Sequence, residues 1–223
     1  MKDNRRSFLK KLGLTTGAAA LAPALMAEAN TIREEYLHRI KEDAADKPIR
    51  LALIGAGIMG TEDTNTALQH ANVSLVAVCD LYDGRLESAK KKWGDHLFLT
   101  KDHKEILKRA DVDAVIIGTP DSWHKQISVD ALNAGKHVYL EKTMTYDADQ
   151  SLALVKLTQQ CPKQVLQVGH QYRYTPLYFK VKEMIDKGYL GKVTQIDCRW
   201  DRNWNWRRAV PQGYTDRQVN WRM

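Results

Sequence analysis

Ile49-Arg50-Leu51-Ala52-Leu53-Ile54-Gly55-Ala56-Gly57-Ile58-Met59-Gly60, with the apolar run Val73 to Val78 and then Cys79-Asp80, decides the fold. The first six residues are a short β-type run, a glycine-rich turn follows at once, and a second β-type run ends on an acid. Strand, glycine turn, helix and strand in that order are the context a dinucleotide fingerprint requires. The first glycine permits the tight turn, the second lets backbone approach a pyrophosphate, and the third lets the helix pack close to the strand. Ile58 and Met59 open the helix, whose first N–H groups face the phosphates. Asp80, 20 residues beyond Gly60, stands where a carboxylate can accept two ribose hydroxyls. Gly55, Gly57, Ile58, Met59, Gly60 and Asp80 are therefore candidate cofactor-binding residues, and a merely structural βαβ corner is the alternative.

Downstream, the pattern repeats. Asp83 to Lys92 reads as a helix, His96 to Leu99 as a third strand, and Asp102 to Arg109 as a helix. Asp113-Ala114-Val115-Ile116-Ile117-Gly118 is a continuous apolar run of the kind a strand buried on both faces shows. It stops at Thr119-Pro120, and a helix with Ile127, Ala131, Leu132 and Ala134 on one side runs to Gly135. His137 to Leu140 is a fifth strand, followed by Glu141-Lys142-Thr143. Asp147 caps the next helix with Gln150 in capping-box spacing, and Gln164 to Gly169 is a sixth strand. Short strands alternating with helices predict an α/β fold with a Rossmann-type, doubly wound parallel sheet. Ligands of such sheets bind outside the carboxyl ends of the strands. Here those ends are the glycine turn, Asp80, Thr119-Pro120, Glu141-Lys142 and His170-Gln171.

From Tyr174 onward the pattern changes. Thr175-Pro176 opens a helix with Leu177, Val181, Met184 and Ile185 on one face and Gly188 at its end, and Lys192 to Trp200 reads as one strand. A solitary strand cannot bury a face, so this is read as the start of a second, truncated α/β domain with an open sheet. The domains expected are residues 49–170 for the dinucleotide-binding unit and 171–223 for the beginning of a C-terminal unit for substrate binding and oligomerisation.

Residues 1–29 carry Lys2, Arg5, Arg6, Lys10 and Lys11, then a small-residue apolar run from Leu12 to Met26, then Ala27-Glu28-Ala29 with the A-x-A cleavage form. This is an export signal, and Asn4-Arg5-Arg6-Ser7-Phe8-Leu9-Lys10 resembles the twin-arginine type, which carries folded proteins to the periplasm. An uncleaved segment, leaving the chain cytoplasmic or membrane-anchored, is the alternative. Residues 30–48 read as a lead-in helix and linker, with Ile32, Tyr36 and Ile40 at fourfold spacing before Pro48.

The formal net charge of +7 suggests nucleic acid until it is mapped. Residues 1–29 contribute +3 and residues 199–223 contribute +4, leaving 23 basic and 23 acidic groups between. The body is neutral, so the Trp- and Arg-rich tail (Trp200, Trp204, Trp206, Tyr214, Trp221) reads as packing or sugar-stacking surface, with no nucleic-acid partner. Beyond the export signal no membrane segment is expected. Cys79, Cys161 and Cys198 lack disulfide or metal-ligand spacing; they read as buried small hydrophobes, and no metal site is expected.

In order and spacing, residues 49 to 223 resemble the Gfo/Idh/MocA oxidoreductase family, named for glucose-fructose oxidoreductase and inositol dehydrogenase. Gly55 to Gly60 and Asp80 match its first turn and ribose acid. Asp111 to Pro120 with His124 matches its fourth strand and Thr-Pro turn. Ala134 to Lys142 matches the approach to its Glu-Lys-Pro motif, and Gly169 to Arg173 with Gly188 to Val193 matches the crossover into its second domain. The resemblance implies NAD, or NADP, as cofactor and a sugar, polyol or sugar derivative as substrate, in an enzyme that removes hydride from a CH–OH group. The secreted, twin-arginine branch of the family acts mainly on sugars. A homo-oligomer is expected of the full-length protein. Thr143 stands where the family has proline, and the family's catalytic histidine falls beyond Met223.

By that resemblance Lys142 is the catalytic and cofactor-orienting lysine, and Glu141 places the nicotinamide end. An exposed charge pair at a strand end is the plain alternative for both. Thr119 and Pro120 line the cleft; His124 is a cofactor contact or a capping or packing residue. Arg173 and Gln171 are candidate substrate residues. Asp80 favours NAD because a carboxylate repels a 2′-phosphate, while Arg85 keeps NADP open. Two other outcomes remain: an NAD-using glycosidase or lyase of the same architecture, and a non-catalytic nucleotide-binding fragment.

Overall fold

A computed structural model describes residues 48–201, 203, 207–210 and 213–220. The export signal and the lead-in helix lie outside the described residues. Those described fall into two compact units, one ending at Val181 and the other starting at Lys182.

The first unit is built on a six-stranded sheet. Its strands are β1 Ile49–Ile54, β2 Val73–Cys79, β3 Phe98–Thr100, β4 Ala114–Ile117, β5 His137–Glu141 and β6 Leu166–Gly169. They lie in the order β3-β2-β1-β4-β5-β6, and every neighbouring pair is parallel. The helices between them are α1 Ile58–Ala67, α2 Asp83–Trp93, α3 His103–Leu107, α4 Asp121–Asn133 and α5 Ala148–Gln160. The chain begins in the middle of the sheet, works outward through β2 and β3, then returns past β1 to β4. Strand order therefore reverses between β1 and β4, the place where an open parallel sheet forms a binding crevice.

Successive side chains of a strand point to opposite faces, and both faces are buried here. Ala52, Ile54, Val115, Ile117, Val138 and Leu140 pack with Ile106 of α3, Ile127, Ala131 and Leu132 of α4, and Leu154 of α5. Leu51, Leu53 and Ile116 face the other way, with Leu86 and Ala89 of α2. The β1–β2 register shifts between Leu51 and Ala52, whose partners are Leu75 and Ala77. That extra residue, Val76, explains how Leu75 and Val78 come to share one face. At the opposite edge of the sheet Arg50 clamps Asp113 through two hydrogen bonds, 2.9 Å from Nε and 2.7 Å from Nη2, tying β1 to the residue before β4.

Several boundaries differ from expectation. β3 is shifted one to two residues toward Thr100, and α3 is shorter than 102–109 because Asp102 serves as its N-cap, accepting from the Lys104 N–H. Asp147 caps α5 as its spacing predicts, accepting from the Gln150 N–H at 2.8 Å.

After β6 come a 3-10 turn, Gln171–Tyr174, and α6, Pro176–Asp186. Leu177, Val181, Met184 and Ile185, the expected apolar face of α6, are exposed. The strand expected over Lys192 to Trp200 is not formed: these residues have no regular structure and are exposed. An apolar, alternating sequence becomes a strand only against a neighbouring strand, and among the described residues none lies beside it in a sheet. The same absence corrects the expectation for the cysteines. Cys79 is buried, Cys161 is partly buried, and Cys198, which has no sheet face to occupy, is exposed. Within the second unit a capping box on Thr215 and Gln218 starts the short helix α7, Asp216–Val219. Buried Asn220 closes it back on Arg208, accepting from the backbone N–H at 2.6 Å and donating to the carbonyl at 3.0 Å.

Candidate functional site

The carboxyl edge of the sheet carries the glycine turn. Gly55 has φ +94, which favours glycine, and its N–H donates to the Cys79 carbonyl at 2.8 Å. A Cβ on Gly55 would lie 2.7 Å from the Gly118 carbonyl carbon, one on Gly60 would lie 2.2 Å from the Gly55 carbonyl oxygen, and one on Gly118 would lie 2.7 Å from the Gly60 Cα. Gly55, Gly60 and Gly118 thus form a three-glycine contact in which the start of α1 sits directly on the ends of β1 and β4. Gly118 was not among the residues singled out from sequence. Its partners are 58 and 63 positions away, so only the sheet order brings them together.

Gly57 behaves differently. A Cβ there would meet nothing nearer than Arg85 Nη1, at 3.9 Å. The protein itself does not need a glycine at this position for packing. The position is open toward the crevice, as a backbone must be if a bulky anion is to lie against it. Gly57 is also the N-cap of α1 and supplies no side-chain hydrogen bond, so the first N–H groups of the helix keep their donor capacity for a ligand. Ile58 and Met59, in that first turn, are exposed.

Asp80 is 6% exposed. Its Oδ2 accepts from the Ala56 N–H at 2.8 Å and from Arg85 Nη1 at 3.3 Å, while Oδ1 accepts from the Tyr82 N–H at 3.0 Å. The carboxylate is held rigidly against the glycine turn. Arg85 also stacks over the Tyr82 ring, 4.9 Å from its centroid, so a cation lies beside both Asp80 and Gly57.

Across the strand-order reversal, Pro120 is the N-cap of α4. Thr119 Oγ1 is buried with no hydrogen-bond partner. His124 is completely buried, with Nε2 2.9 Å from the Thr119 carbonyl oxygen and Nδ1 2.6 Å from the Thr143 carbonyl oxygen. It connects the turn after β4 to the turn after β5 and reaches the crevice only through those backbones.

Glu141 ends β5 opposite Gly169 of β6. A Cβ on Gly169 would lie 2.6 Å from both Glu141 Oε1 and the Tyr139 hydroxyl, so this glycine makes room for the two side chains. Glu141 is 4% exposed, and its Oε1 is buried without a partner. Burial pushes its carboxyl above the usual range, while Lys142 and then His124 pull it back. Asp63 of α1, which sequence reasoning passed over, belongs to the same neighbourhood: burial first, then Glu141 and Glu62, push its carboxyl up to about 7, and its Oδ2 is also buried without a partner. Lys142 and Thr143 are exposed and are joined by a cis peptide bond. Gln171 and Arg173 lie in the exposed 3-10 turn beyond β6. Among the described residues there is no cluster of three or more His, Cys, Asp or Glu side chains suited to a metal ion, and no helix is long and apolar enough to cross a membrane.

Comparison with known proteins agrees with this arrangement. Residues 49–170 match the profile of GFO_IDH_MocA, described as an oxidoreductase family with an NAD-binding Rossmann fold. The chain belongs to this family. Among its relatives, inositol 2-dehydrogenase of Rhodococcus erythropolis is 33% identical over 176 residues, which is 78% of this chain and 49% of the relative. Inositol 2-dehydrogenase/D-chiro-inositol 3-dehydrogenase of Lactiplantibacillus plantarum is 29% identical over 151 residues, 67% of this chain and 43% of the relative. Scyllo-inositol dehydrogenase from Lactobacillus casei, solved with NAD(H) and scyllo-inositol, superposes with a TM-score of 0.62 at 31% identity over 66% of this chain and 44% of its own. The chain spans about half the length of the curated relatives it matches. The residues present fit the family's cofactor: an open Gly57, an uncapped helix start and a buried, fixed Asp80 stand on one side of the crevice, with Glu141 and Lys142 on the same sheet edge.

Proposed function

We propose that this chain is the cofactor-binding part of an NAD-dependent oxidoreductase that acts on a CH–OH group of a polyol, inositol or related sugar derivative. The observation that carries the reading is the contrast within the glycine turn. Gly55 and Gly60 there are required by the protein's own packing, together with Gly118 after β4, whereas a Cβ on Gly57 would meet nothing nearer than Arg85 Nη1 at 3.9 Å and leaves room for a ligand. The inositol dehydrogenase relatives support the polyol substrate.

The nicotinamide cofactor, when bound, supplies the hydride acceptor. Asp80 offers its remaining lone pairs to ribose hydroxyls, and its charge disfavours a 2′-phosphate, so NAD is the preferred form. The first turn of α1 and the Gly57 backbone hold the pyrophosphate. Lys142 takes the hydroxyl proton, or holds the oxygen as negative charge develops on it, and Glu141 orients the reacting end of the site. Gln171 and Arg173, in the exposed turn that leaves the sheet, contact substrate hydroxyls.

We assign residues 1–29 to a twin-arginine export signal, which makes the protein periplasmic; the Arg5-Arg6 motif, the apolar run and Ala27-Glu28-Ala29 support this.

The test is turnover of the complete protein with NAD and a panel of inositols and sugars. NADH formed in step with ketone product is the expected result. A product released from a glycoside without net NADH would instead indicate a hydrolase or lyase that uses the cofactor transiently. Replacement of Lys142 by Ala should abolish turnover with NAD binding retained; undiminished turnover would remove Lys142 from the reaction.

A further inference from the structure

Gly169, the last residue of β6, makes room for two oxygens of β5. A Cβ on it would lie 2.6 Å from both Glu141 Oε1 and the Tyr139 hydroxyl, so these side chains turn to the same side of the sheet, beside the end of β6. Asp63 belongs to α1. Gly60 and Thr64, three positions before it and one after, are buried, so Asp63 lies on the sheet-facing side of that helix. Its Oδ2, like Glu141 Oε1, is buried with no hydrogen-bond partner.

The two acids lie in each other's field. A carboxylate removed from water needs donors, and two neighbouring carboxylates repel as well. Burial acts first on Asp63, and Glu141 is the strongest charge on it, ahead of Glu62 of its own helix; together they push its carboxyl up to about 7. Burial also disfavours a charged Glu141, but Lys142, next along the chain, opposes this, with His124 of α4 and His170 after β6 adding to it. The Tyr139 phenol responds to the same surroundings: burial, then Asp63, then Glu141 and Tyr174, push it up to about 12. Of the two acids, Asp63 is therefore the one that keeps a proton. A protonated carboxyl is a donor, so a single proton removes the repulsion and adds a donor where two acceptors lie orphaned.

We propose that Asp63 and Glu141 are one acid pair sharing a single proton, and that this proton fixes the Glu141 side chain at the carboxyl end of β5. Asp63 is a positioning residue, acting through Glu141 and touching neither cofactor nor substrate. What Glu141 does for the nicotinamide end rests on the function proposed above; the shared proton does not.

Infrared spectroscopy of the full chain without cofactor decides. With aspartate side chains labelled with ¹³C, a protonated aspartate C=O band should be present at pH 6, where ordinary carboxyls are ionised, and should be lost as pH rises through about 7. It should be missing from Asp63→Asn. No such band in the unmodified chain at pH 6, or its survival in Asp63→Asn, would overturn the proposal. Glu141→Gln takes away the neighbouring charge, and the band should then disappear about one pH unit lower. A folded variant with an unmoved midpoint would break the pair. Should that variant not fold, ¹³C-glutamate labelling of the unmodified chain gives the same answer: a glutamate carboxylate band should shift across the Asp63 midpoint, and glutamate bands indifferent to it would break the pair. In the complete protein, NAD affinity should fall about threefold to tenfold from pH 6 to pH 8.5, and hardly at all in Asp63→Asn, whose amide N–H replaces the acid's donor. Equal pH dependence in the two proteins would eliminate the positioning role. A protein that keeps the band but binds no NAD would sink the proposed function and not the acid pair.

Discussion

Asp80 Oδ2 accepts a hydrogen bond from the Ala56 N–H at 2.8 Å, so the acid that follows β2 grips the glycine turn that follows β1. One carboxylate both shapes the turn and presents its remaining lone pairs to the crevice. Asp80→Ser loses the charge that disfavours a 2′-phosphate and leaves Arg85 beside the opening. NAD affinity should fall by about 1–3 kcal/mol, roughly tenfold to a hundredfold, and the preference should move toward NADP. Titration calorimetry with both nucleotides measures this, and an unaltered ratio would mean that the ribose acid lies elsewhere.

Gly118→Ala and Gly57→Ala should part company. An added methyl at Gly118 meets the Gly60 Cα at 2.7 Å, where neither backbone can yield easily. The cost should be about 1–3 kcal/mol or more, seen as a lower Tm in thermal unfolding. At Gly57 the methyl meets nothing closer than 3.9 Å, so stability should change by no more than about 0.5 kcal/mol while NAD binding weakens. Equal stability losses in the two variants would contradict the distinction between packing and ligand-facing glycines.

Asp63 gives a pH dependence with a definite sign. Its carboxyl is pushed up to about 7 in the folded chain, above the unfolded value near 4. The folded state therefore holds the proton more tightly, and stability from this group is complete below about pH 4 and is lost progressively as pH rises through 7. Asp63→Asn removes the effect. Its Tm advantage over the unmodified chain should be small at pH 4 and largest at pH 8; a constant difference across that range would show that Asp63 ionises normally.

The Arg50–Asp113 clamp behaves in the opposite sense. The Arg50 guanidinium holds the Asp113 carboxyl at about 2, so its contribution is present above about pH 4 and is lost as pH falls toward 2. Both side chains are more than a third exposed, 41% and 34%, so solvent screening keeps the pair's contribution small despite its two-point geometry. Asp113→Asn should lower Tm at pH 7 and make much less difference near pH 2. The same loss at both pH values would show that packing, and not the ion pair, was removed.

The parts legible in the sequence are those that depend on neighbours along the chain. The alternation from Ile49 to Gly169, the glycine turn, and the Asp147 cap each follow from residues a few positions apart. Gly118, Asp63 and the burial of His124 do not. Each acquires its role from a partner brought up by the sheet: Gly60 and Gly55 against Gly118, Glu141 toward Asp63, Thr143 against His124. The strand expected at Lys192 to Trp200 failed for the converse reason, since its pattern names a buried face but not the partner strand that would create one.

In the proposed reading, the crevice outside β1 and β4 binds NAD through the open side of Gly57 and the fixed Asp80 carboxylate. Calorimetric titration of NAD into the unmodified chain and into Gly57→Val tests it most directly. Saturable one-to-one binding by the unmodified chain, lost in a Gly57→Val variant of near-normal Tm, is the predicted result. Absence of saturable binding, or equal binding by the two proteins, would contradict the account.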